Sequence, residues 1–274
     1  MAKAVVFERP EDQTTAQRFE AKYHLTENMA QMVLDYMAPY LTTDKNTKWG
    51  QEYTINSIYL DNPRLSLFWS SKTGEKNRFK LRIRSYTDKP EDPVFFEIKR
   101  RVNQVILKQR AITTRETVDR ILRHEEVPFN AFLKPGPKER ENLWQFRDLM
   151  EAMGAVPQAM VRYTREAYMS NLEEPVRITF DRNLATIPVP EYDPSVWTYG
   201  PHWTNIDVIP VVLEVKFTNT YPRWVRQMIQ RFGLLQAEFA KYVACMDQLK
   251  REGSLFAYLR DYNEDPLYSN IMID

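Results

Sequence analysis

The chain has 274 residues, of which 27% are charged and 43% are apolar, proportions that are typical of a globular protein. Its net charge of +1 excludes the global basic field of many nucleic-acid-binding proteins. A single cysteine, Cys245, excludes an intramolecular disulfide and a cysteine-rich metal site. Because of that net charge we expect no binding of nucleic acid. Because no apolar run suits a signal peptide or a membrane span, we expect a cytoplasmic protein.

The first half of the chain is dominated by predicted strands. A short first strand is followed by a helix that Thr26 can cap. Gly74 and the segment Lys89-Pro90-Glu91-Asp92-Pro93 mark turns between later strands, and strands at such close spacing indicate an antiparallel meander. The strands predicted in this half lie at about 17–23, 53–61, 78–86, 94–101 and 104–112.

The second half alternates helices with strands. Strands are predicted at about 160–169, 176–182 and 208–217, and the segment 186–207, rich in Pro, Trp and Tyr, is predicted to be a long ordered loop. Helices are predicted from about Thr114, over 138–153, from Tyr221 and over 238–251. No Gly/Ser-rich linker divides the chain. We therefore expect three parts, namely a flexible lead (1–14), one domain (15–252) and a tail (253–274).

One predicted strand carries four cations on a single face. The segment 77–85 reads Asn-Arg-Phe-Lys-Leu-Arg-Ile-Arg-Ser, so cations alternate with apolar residues. Neighbours on one face of a strand lie about 7 Å apart, and two like charges at that distance repel by about 2.4 kcal/mol at a dielectric constant near 20. Water and salt reduce this repulsion on an exposed face, whereas an enclosed face requires an anion. The four cations are Arg78, Lys80, Arg82 and Arg84.

Other strands repeat this pattern, which favours an enclosed charged face. Glu and Lys or Arg share one face of the segments 18–22, 97–101 and 214–216, and apolar residues fill the opposite face. A closed antiparallel barrel accommodates this arrangement, because polar side chains can point inward while apolar ones lie outside beneath helices. We therefore predict an α+β protein with a closed eight-stranded antiparallel barrel of the tunnel type and helices packed on its outside.

An interior lined by Arg and Lys suits a polyanion such as a chain of phosphates. The interleaved glutamates can either bind a divalent metal through oxygen or pair with neighbouring cations, and for most of them the ion pair is the simpler reading. Glu214 is the exception, because it lies mid-strand among apolar residues with only Lys216 as a same-face partner. Neither a P-loop nor a Rossmann glycine motif is present.

Seven short blocks lie in chain order between about residues 16 and 250. They are Arg18-Phe19-Glu20-Ala21-Lys22-Tyr23, Ser57-Ile58-Tyr59-Leu60-Asp61, the segment 72–84 with Gly74 and Asn77, Phe96-Glu97-Ile98-Lys99, Tyr163-Thr164-Arg165-Glu166-Ala167, Arg177-Ile178-Thr179-Phe180-Asp181 and Leu213-Glu214-Val215-Lys216. Together they resemble the VTC domain, the catalytic domain of the vacuolar transporter chaperone polyphosphate polymerase, within the triphosphate tunnel metalloenzymes.

The resemblance implies an eight-stranded tunnel, a divalent metal ion (Mn²⁺ or Mg²⁺), ATP or another triphosphate as donor, and inorganic polyphosphate as the growing chain. At matching positions it implies that phosphates are held for catalysis by Lys22, Arg82, Arg84, Lys99, Arg165, Arg177 and Lys216. Further substrate-binding candidates are Arg78, Lys80, Lys108, Arg110 and Lys241. Glu214 matches the metal ligand, and Glu20 and Glu97 are additional candidate ligands.

One departure from the family pattern bears on the reaction. Where the family tends toward Lys-Phe-Ser-Lys-Tyr, this chain has Glu238-Phe239-Ala240-Lys241-Tyr242. If Glu238 faces the phosphate path, an anion replaces a cation there and weakens the hold on a polymer. The leading hypothesis is a polyphosphate polymerase that uses ATP, and the alternatives are a triphosphatase and a non-catalytic sensor of polyphosphate or nucleotide.

Overall fold

The structure is a computed structural model that describes residues 18–44, 48–103, 105–134, 136–172, 176–206, 209–218 and 221–253. The predicted lead over 1–14 and all but the first residue of the predicted tail lie outside these residues. The division of the chain into lead, domain and tail therefore stays a prediction. In the described part of the chain, no helix is both long enough and apolar enough to cross a bilayer.

The described residues form ten strands and six α-helices. The strands are β1 (Arg18–Leu25), β2 (Leu41–Thr43), β3 (Glu52–Asp61), β4 (Asn77–Ser85), β5 (Val94–Val102), β6 (Val105–Thr113), β7 (Val156–Ser170), β8 (Arg177–Pro188), β9 (Thr204–Asn205) and β10 (Val211–Thr218). The helices are α1 (Glu27–Met37), α2 (Ser66–Lys72), α3 (Thr117–Leu122), α4 (Pro137–Met153), α5 (Arg223–Arg231) and α6 (Lys241–Arg251).

All ten strands belong to one antiparallel sheet. Eight of them follow the order β1-β10-β8-β7-β3-β4-β5-β6, while β2 pairs with β7 and β9 pairs with β8. These eight are the strands that the alternation predicted. The register places Lys22 opposite Glu214 and Arg82 opposite Glu97. Opposite charges at directly paired positions stabilise a sheet, so the charged rows help to fix this register.

The prediction of a closed eight-stranded barrel is wrong, because the sheet has ten strands and is not closed by pairing of β1 with β6 among the described residues. The free edge of β1 is occupied instead by the chain that follows α5. The Ala237 amide donates to the carbonyl of Lys22 at 2.9 Å, and Tyr23 and Gln236 form an antiparallel bridge. A strand edge that already has a partner cannot pair with β6.

The edge of β6 is also covered along its second half. Asn142 of α4 donates its side-chain amide to the carbonyl of Arg110 at 2.8 Å, and the Leu133 amide donates to the carbonyl of Ile112 at 3.2 Å. Thr113 and Phe132 form an isolated bridge. These contacts occupy backbone groups of β6 that would have to form hydrogen bonds with β1 if the barrel were closed.

The apolar face of the sheet packs against helices, as predicted. Leu81, Ile83, Phe96 and Ile98 form a buried cluster with α3 and α4, and β1 and β10 form another with α1 and α5. Burying a large aliphatic or aromatic side chain contributes about 1.5–3 kcal/mol. This packing turns the charged faces of β1, β4, β5 and β10 to the opposite side of the sheet.

The segment predicted as a loop over 186–207 is more structured than expected. Strand β8 continues to Pro188, and β9 adds two residues to its edge. Trp197 and Trp203 are buried in the cluster that contains α3 and α4. The segment therefore covers part of the core rather than crossing the surface as an open loop.

Candidate functional site

The charged face of the sheet borders a cavity of about 280 Å³. Strands β1, β4, β5, β7 and β10 supply most of its wall, and the segment from Gln236 to Lys241 completes it. Eleven cations and three carboxylates of the described residues line the cavity, a formal excess of eight positive charges. The cations are Lys22, Arg78, Lys80, Arg82, Arg84, Lys99, Arg100, Arg101, Arg165, Lys216 and Lys241, and the carboxylates are Glu20, Glu214 and Glu238.

The structure brings together eleven of the fifteen residues that the sequence predicted for the site. They are Glu20, Lys22, Arg78, Lys80, Arg82, Arg84, Lys99, Arg165, Glu214, Lys216 and Lys241. The other four, Glu97, Lys108, Arg110 and Arg177, do not line this cavity. The alternation of cations along β4 thus places all four of its basic side chains in one enclosure.

Glu97, which does not line the cavity, lies at the centre of a cluster of cations. Its side chain is 0% exposed, and Arg82 Nε and Arg110 Nε each donate to it at 2.7 Å. Lys108 Nζ lies 2.8 Å from the same carboxylate, and Arg84 is its fourth neighbour at 3.9 Å. Although burial raises its pKa, these cations hold the pKa of Glu97 far below its usual range. In this structure Glu97 is a counter-ion for the surrounding cations.

Buried Glu214 and half-buried Glu20 are two carboxylates that line the cavity. Glu214 lies 2.8 Å from Lys216 Nζ, and Glu20 lies 3.0 Å from Lys22 Nζ. Burial raises the pKa of both carboxyl groups. The neighbouring lysines lower it by more than burial raises it, and Arg165 also lowers the pKa of Glu214, so both pKa values fall below the usual range. Each carboxylate also affects the pKa of the other. The pair therefore presents two ionised oxygen ligands to one region of the cavity.

These two carboxylates fit a magnesium or manganese ion that is shared with a substrate. No group of three potential metal ligands from His, Cys, Asp and Glu occurs among the residues that the structure describes, so the protein offers no complete metal cage. Mg²⁺ is usually bound by one or two carboxylates, with water and substrate phosphates completing its octahedral shell. Glu214 and Glu20 match that partial ligand set.

Asp181 is a site residue that sequence reasoning missed. It lies on β8, is 3% exposed, and receives a bidentate pair of hydrogen bonds from Arg165 at 2.6 and 2.7 Å. Lys241 Nζ approaches the same carboxylate at 2.5 Å. Asp181 thereby fixes two cavity cations on different elements. The signals in the sequence were that Asp181 ends the family block Arg177-Ile178-Thr179-Phe180-Asp181 and shares strand parity with Arg177.

Lys80 is a cavity cation without a counter-ion. It forms no ion pair or hydrogen bond with any described residue, and its charged neighbours are Lys22, Lys99, Arg82 and Arg78. Burial and these cations lower the pKa of Lys80 to about 7. Burial likewise lowers the pKa of Lys99 to about 8, although Glu20 opposes the shift. A bound anion would relieve the repulsion at Lys80 directly.

The fold and the cavity define a class of protein, namely an antiparallel-sheet protein with a basic cavity on the charged face of its sheet. The family can then be stated. The model of the VTC domain family matches residues 17–250, and the chain belongs to this family, which confirms the resemblance seen in the seven sequence blocks. No curated protein matches the chain.

Three solved structures are similar to the chain. A candidate adenylate cyclase from Bacillus halodurans has 11% identity and a TM-score of 0.45, over 82% of this chain and 94% of that one. The PH1819 protein from Pyrococcus horikoshii OT3 has 14% identity and a TM-score of 0.41, over 83% and 96%. A candidate adenylyl cyclase from Hippeastrum, described as having a dominant triphosphatase activity, has 14% identity and a TM-score of 0.42, over 85% and 95%.

Proposed function

We propose that the chain is a metal-dependent polyphosphate polymerase, which transfers the terminal phosphoryl group of ATP to a growing inorganic polyphosphate chain inside the cavity. The observation that carries this proposal is the excess of positive charge lining one cavity, with Lys80 lacking any counter-ion among the described residues. Membership in the VTC domain family supports it.

The amount of charge favours a long phosphate chain over a single triphosphate. A triphosphate has one dianionic end and singly charged inner groups, and so carries about four negative charges near neutral pH. The cavity lining has eleven cations and three carboxylates, and Glu97 and Asp181, which pair with lining cations, reduce the excess to about six, which is still above the charge of one triphosphate. A longer chain spreads its charges along the wall, as the cations of β1, β4, β5 and β10 are spread.

The residues then divide the work of phosphoryl transfer. Arg82, Arg84 and Arg165 are each fixed by a carboxylate, a serine or a tyrosine, so they offer oriented donors to phosphate oxygens. Lysines such as Lys80 and Lys99 supply point charges. Such positioning and charge neutralisation provide most of the catalysis of phosphoryl transfer. Glu214 and Glu20 would hold the divalent ion, which when bound neutralises phosphate charge.

One observation favours a triphosphatase as the second candidate. Glu238 lines the cavity. Burial lowers the pKa of Arg78, and the nearby carboxylate of Glu238 raises it, so the two side chains interact. An anion at this position repels a passing phosphate chain. Hydrolysis of a triphosphate needs no polymer along that wall, because water is the acceptor.

The test is to incubate the purified protein with ATP and Mn²⁺ and to separate the products on a gel that resolves phosphate polymers from orthophosphate. Polymer is the expected product. Orthophosphate without polymer would reject the polymerase and support the triphosphatase. Binding of polyphosphate without any turnover, in Mn²⁺ or in Mg²⁺, would instead support the sensor.

A pH effect follows from Lys80. Because its pKa in the unliganded cavity is about 7 and a bound polyanion raises it, Lys80 should take up a proton when tripolyphosphate binds between about pH 8 and 9. Affinity should therefore fall as the pH rises above 7. Calorimetry in buffers with different ionisation enthalpies measures this uptake, and Lys80→Met should lose about half of it, because Lys99, whose pKa is about 8, takes up the rest. A binding enthalpy that is the same in every buffer would contradict the assignment.

A further inference from the structure

The two candidate metal ligands belong to a cluster with two lysines. Glu20 and Lys22 lie on β1, and their directly paired neighbours on β10 are Lys216 and Glu214. All four side chains line the cavity. Opposite charges thus alternate along each strand and across the two strands, an arrangement that stabilises the pairing. The contacts within this lysine–glutamate cluster bear on how a metal ion reaches the carboxylates.

Each lysine of the cluster contacts both carboxylates. Lys22 Nζ lies 3.0 Å from Glu20 Oε1 and 3.7 Å from Glu214 Oε1. Lys216 Nζ lies 2.8 Å from Glu214 Oε2 and 3.7 Å from Glu20 Oε2. In this structure every carboxylate oxygen of the cluster therefore has an ammonium group as a close neighbour.

Two further cations approach the same carboxylates from other strands. Lys99 Nζ lies 3.5 Å from Glu20 Oε2, and Arg165 Nη2 lies 3.5 Å from Glu214 Oε2. Even with Asp181, which also pairs with Arg165, positive charge exceeds negative charge around the two carboxylates. A free divalent cation would be repelled by this excess and would also have to give up part of its hydration shell.

A phosphate chain changes this balance, because it offers the lysines other anions. Lys22 and Lys216 are half-buried, with side-chain exposures of 22% and 35%, and the flexible stem of a lysine allows its ammonium group to turn toward a phosphate in the cavity. Lys22 Nζ also donates to the carbonyl of Phe239 at 3.0 Å, so it keeps one partner when it leaves a carboxylate. The carboxylate oxygens then become free for a divalent ion that accompanies the phosphates.

We propose that Lys22 and Lys216 keep the divalent ion off Glu20 and Glu214 until a phosphate chain is bound, so that the substrate is the complex of the chain with its ion. The inference rests on the proposed function, since it requires that the cavity bind phosphate chains. The two lysines neutralise the carboxylates in the unliganded protein and neutralise phosphate in the complex. Metal and phosphate therefore bind cooperatively, and each raises the affinity for the other by the same factor.

The test measures binding of Mn²⁺ alone, without phosphate, by isothermal titration calorimetry and by the electron paramagnetic resonance signal of the free ion. Lys22→Met should bind Mn²⁺ at least about tenfold more tightly than the unmodified protein, the scale on which a change beside a metal ligand alters metal affinity. Lys216→Met should show a similar gain, and it keeps the comparison possible if Lys22→Met fails to fold. Both variants should bind metal-free tripolyphosphate more weakly, because each has lost a cation that holds phosphate.

Two controls locate the gain at the cluster. Lys80→Met removes a cation that lines the same cavity but has no ion pair with any described carboxylate, so its gain in Mn²⁺ affinity should be much smaller. In Lys22→Met/Glu214→Gln the gain should disappear, because one of the two carboxylates has lost its charge. Opposite shifts in metal and phosphate affinity are not expected of a lysine that only stabilises the fold.

The possible results separate this inference from the proposed function. If the unmodified protein binds Mn²⁺ alone as tightly as the two lysine variants do, the inference is overturned and the proposed function stands. A gain in Lys80→Met as large as that in Lys22→Met would overturn it too, since the effect would then belong to the whole cavity. If the unmodified protein binds no tripolyphosphate, with or without Mn²⁺, the proposed function fails and the inference fails with it.

Discussion

Replacing Glu97 by Gln should lower the free energy of unfolding by about 3–5 kcal/mol, the usual cost of leaving buried charges without their partner. Glu97 is 0% exposed, and Arg82, Lys108 and Arg110 contact its carboxylate within 2.8 Å. The amide is close in size to the carboxylate but carries no charge, so the cations around it would repel one another. Chemical denaturation at neutral pH measures the loss.

Glu238→Gln is the matched control, because the same substitution is made at an exposed carboxylate on the cavity rim. Its effect on stability should stay within about 0.5 kcal/mol. Since the pKa of Glu97 is held far below the usual range, its stabilising effect is complete above the ordinary carboxyl pKa and is lost progressively as the pH falls below it. Similar losses in Glu97→Gln and Glu238→Gln would show that the cluster contributes little.

Glu214→Gln should reduce turnover of ATP by at least about 100-fold, the scale of losing one well-placed charged contact or metal contact. The substitution removes one of the two ionised carboxylates proposed to hold the divalent ion. Binding of tripolyphosphate without metal should be kept or strengthened, because the change also removes an anion from a basic cavity. Steady-state kinetics with Mn²⁺ and calorimetry without metal measure the two effects separately.

Glu238→Gln again provides the comparison, since it removes an anion from the same cavity away from Glu20 and Glu214. It should retain turnover. If Glu214→Gln kept full turnover, Glu214 would not be the metal ligand. A loss of metal-free phosphate binding in Glu214→Gln would indicate instead that the substitution had disordered the wall at Lys216 and Arg165, which contact Glu214.

The strands were predictable because their signal is local. Alternation along 78–86 and 94–101 gave both the strands and the face that each cation occupies, and the eight predicted strands are those of the main sheet order. Closure was not predictable in this way. It depends on which segment reaches the edge of β1, and the bridge from Tyr23 to Gln236 joins residues more than two hundred positions apart.

The roles of the glutamates could not be read from local sequence. Glu97-Ile98-Lys99 and Glu214-Val215-Lys216 have the same Glu-x-Lys pattern. Glu97 is paired with Arg82 on one side and Arg110 on the other, and it does not line the cavity. Glu214 is paired with Lys22 and with the uncharged Thr179, and it faces the cavity. Neighbouring strands, rather than the motif, separate a counter-ion from a candidate metal ligand.

Strand parity alone does not say which arginine of β7 faces the cavity. Arg162 and Arg165 lie three residues apart, so an even strand would turn them to opposite faces. The pairing of β7 with β8 contains an irregularity between Arg162 and Thr164. Arg165 faces the cavity, whereas Arg162 forms an ion pair with Asp88 at 2.8 Å. The family block around Arg165 identified the correct arginine where alternation alone could not.

The most direct test of the account is a crystal structure of the protein with tripolyphosphate and Mn²⁺, in which anomalous scattering locates the metal. We predict phosphate density in contact with Lys80, Arg82 and Lys99, and a manganese peak between the phosphate oxygens and Glu214. Phosphates bound only on the outer surface, with Lys80 and the carboxylate of Glu214 left as they are in the unliganded cavity, would contradict it.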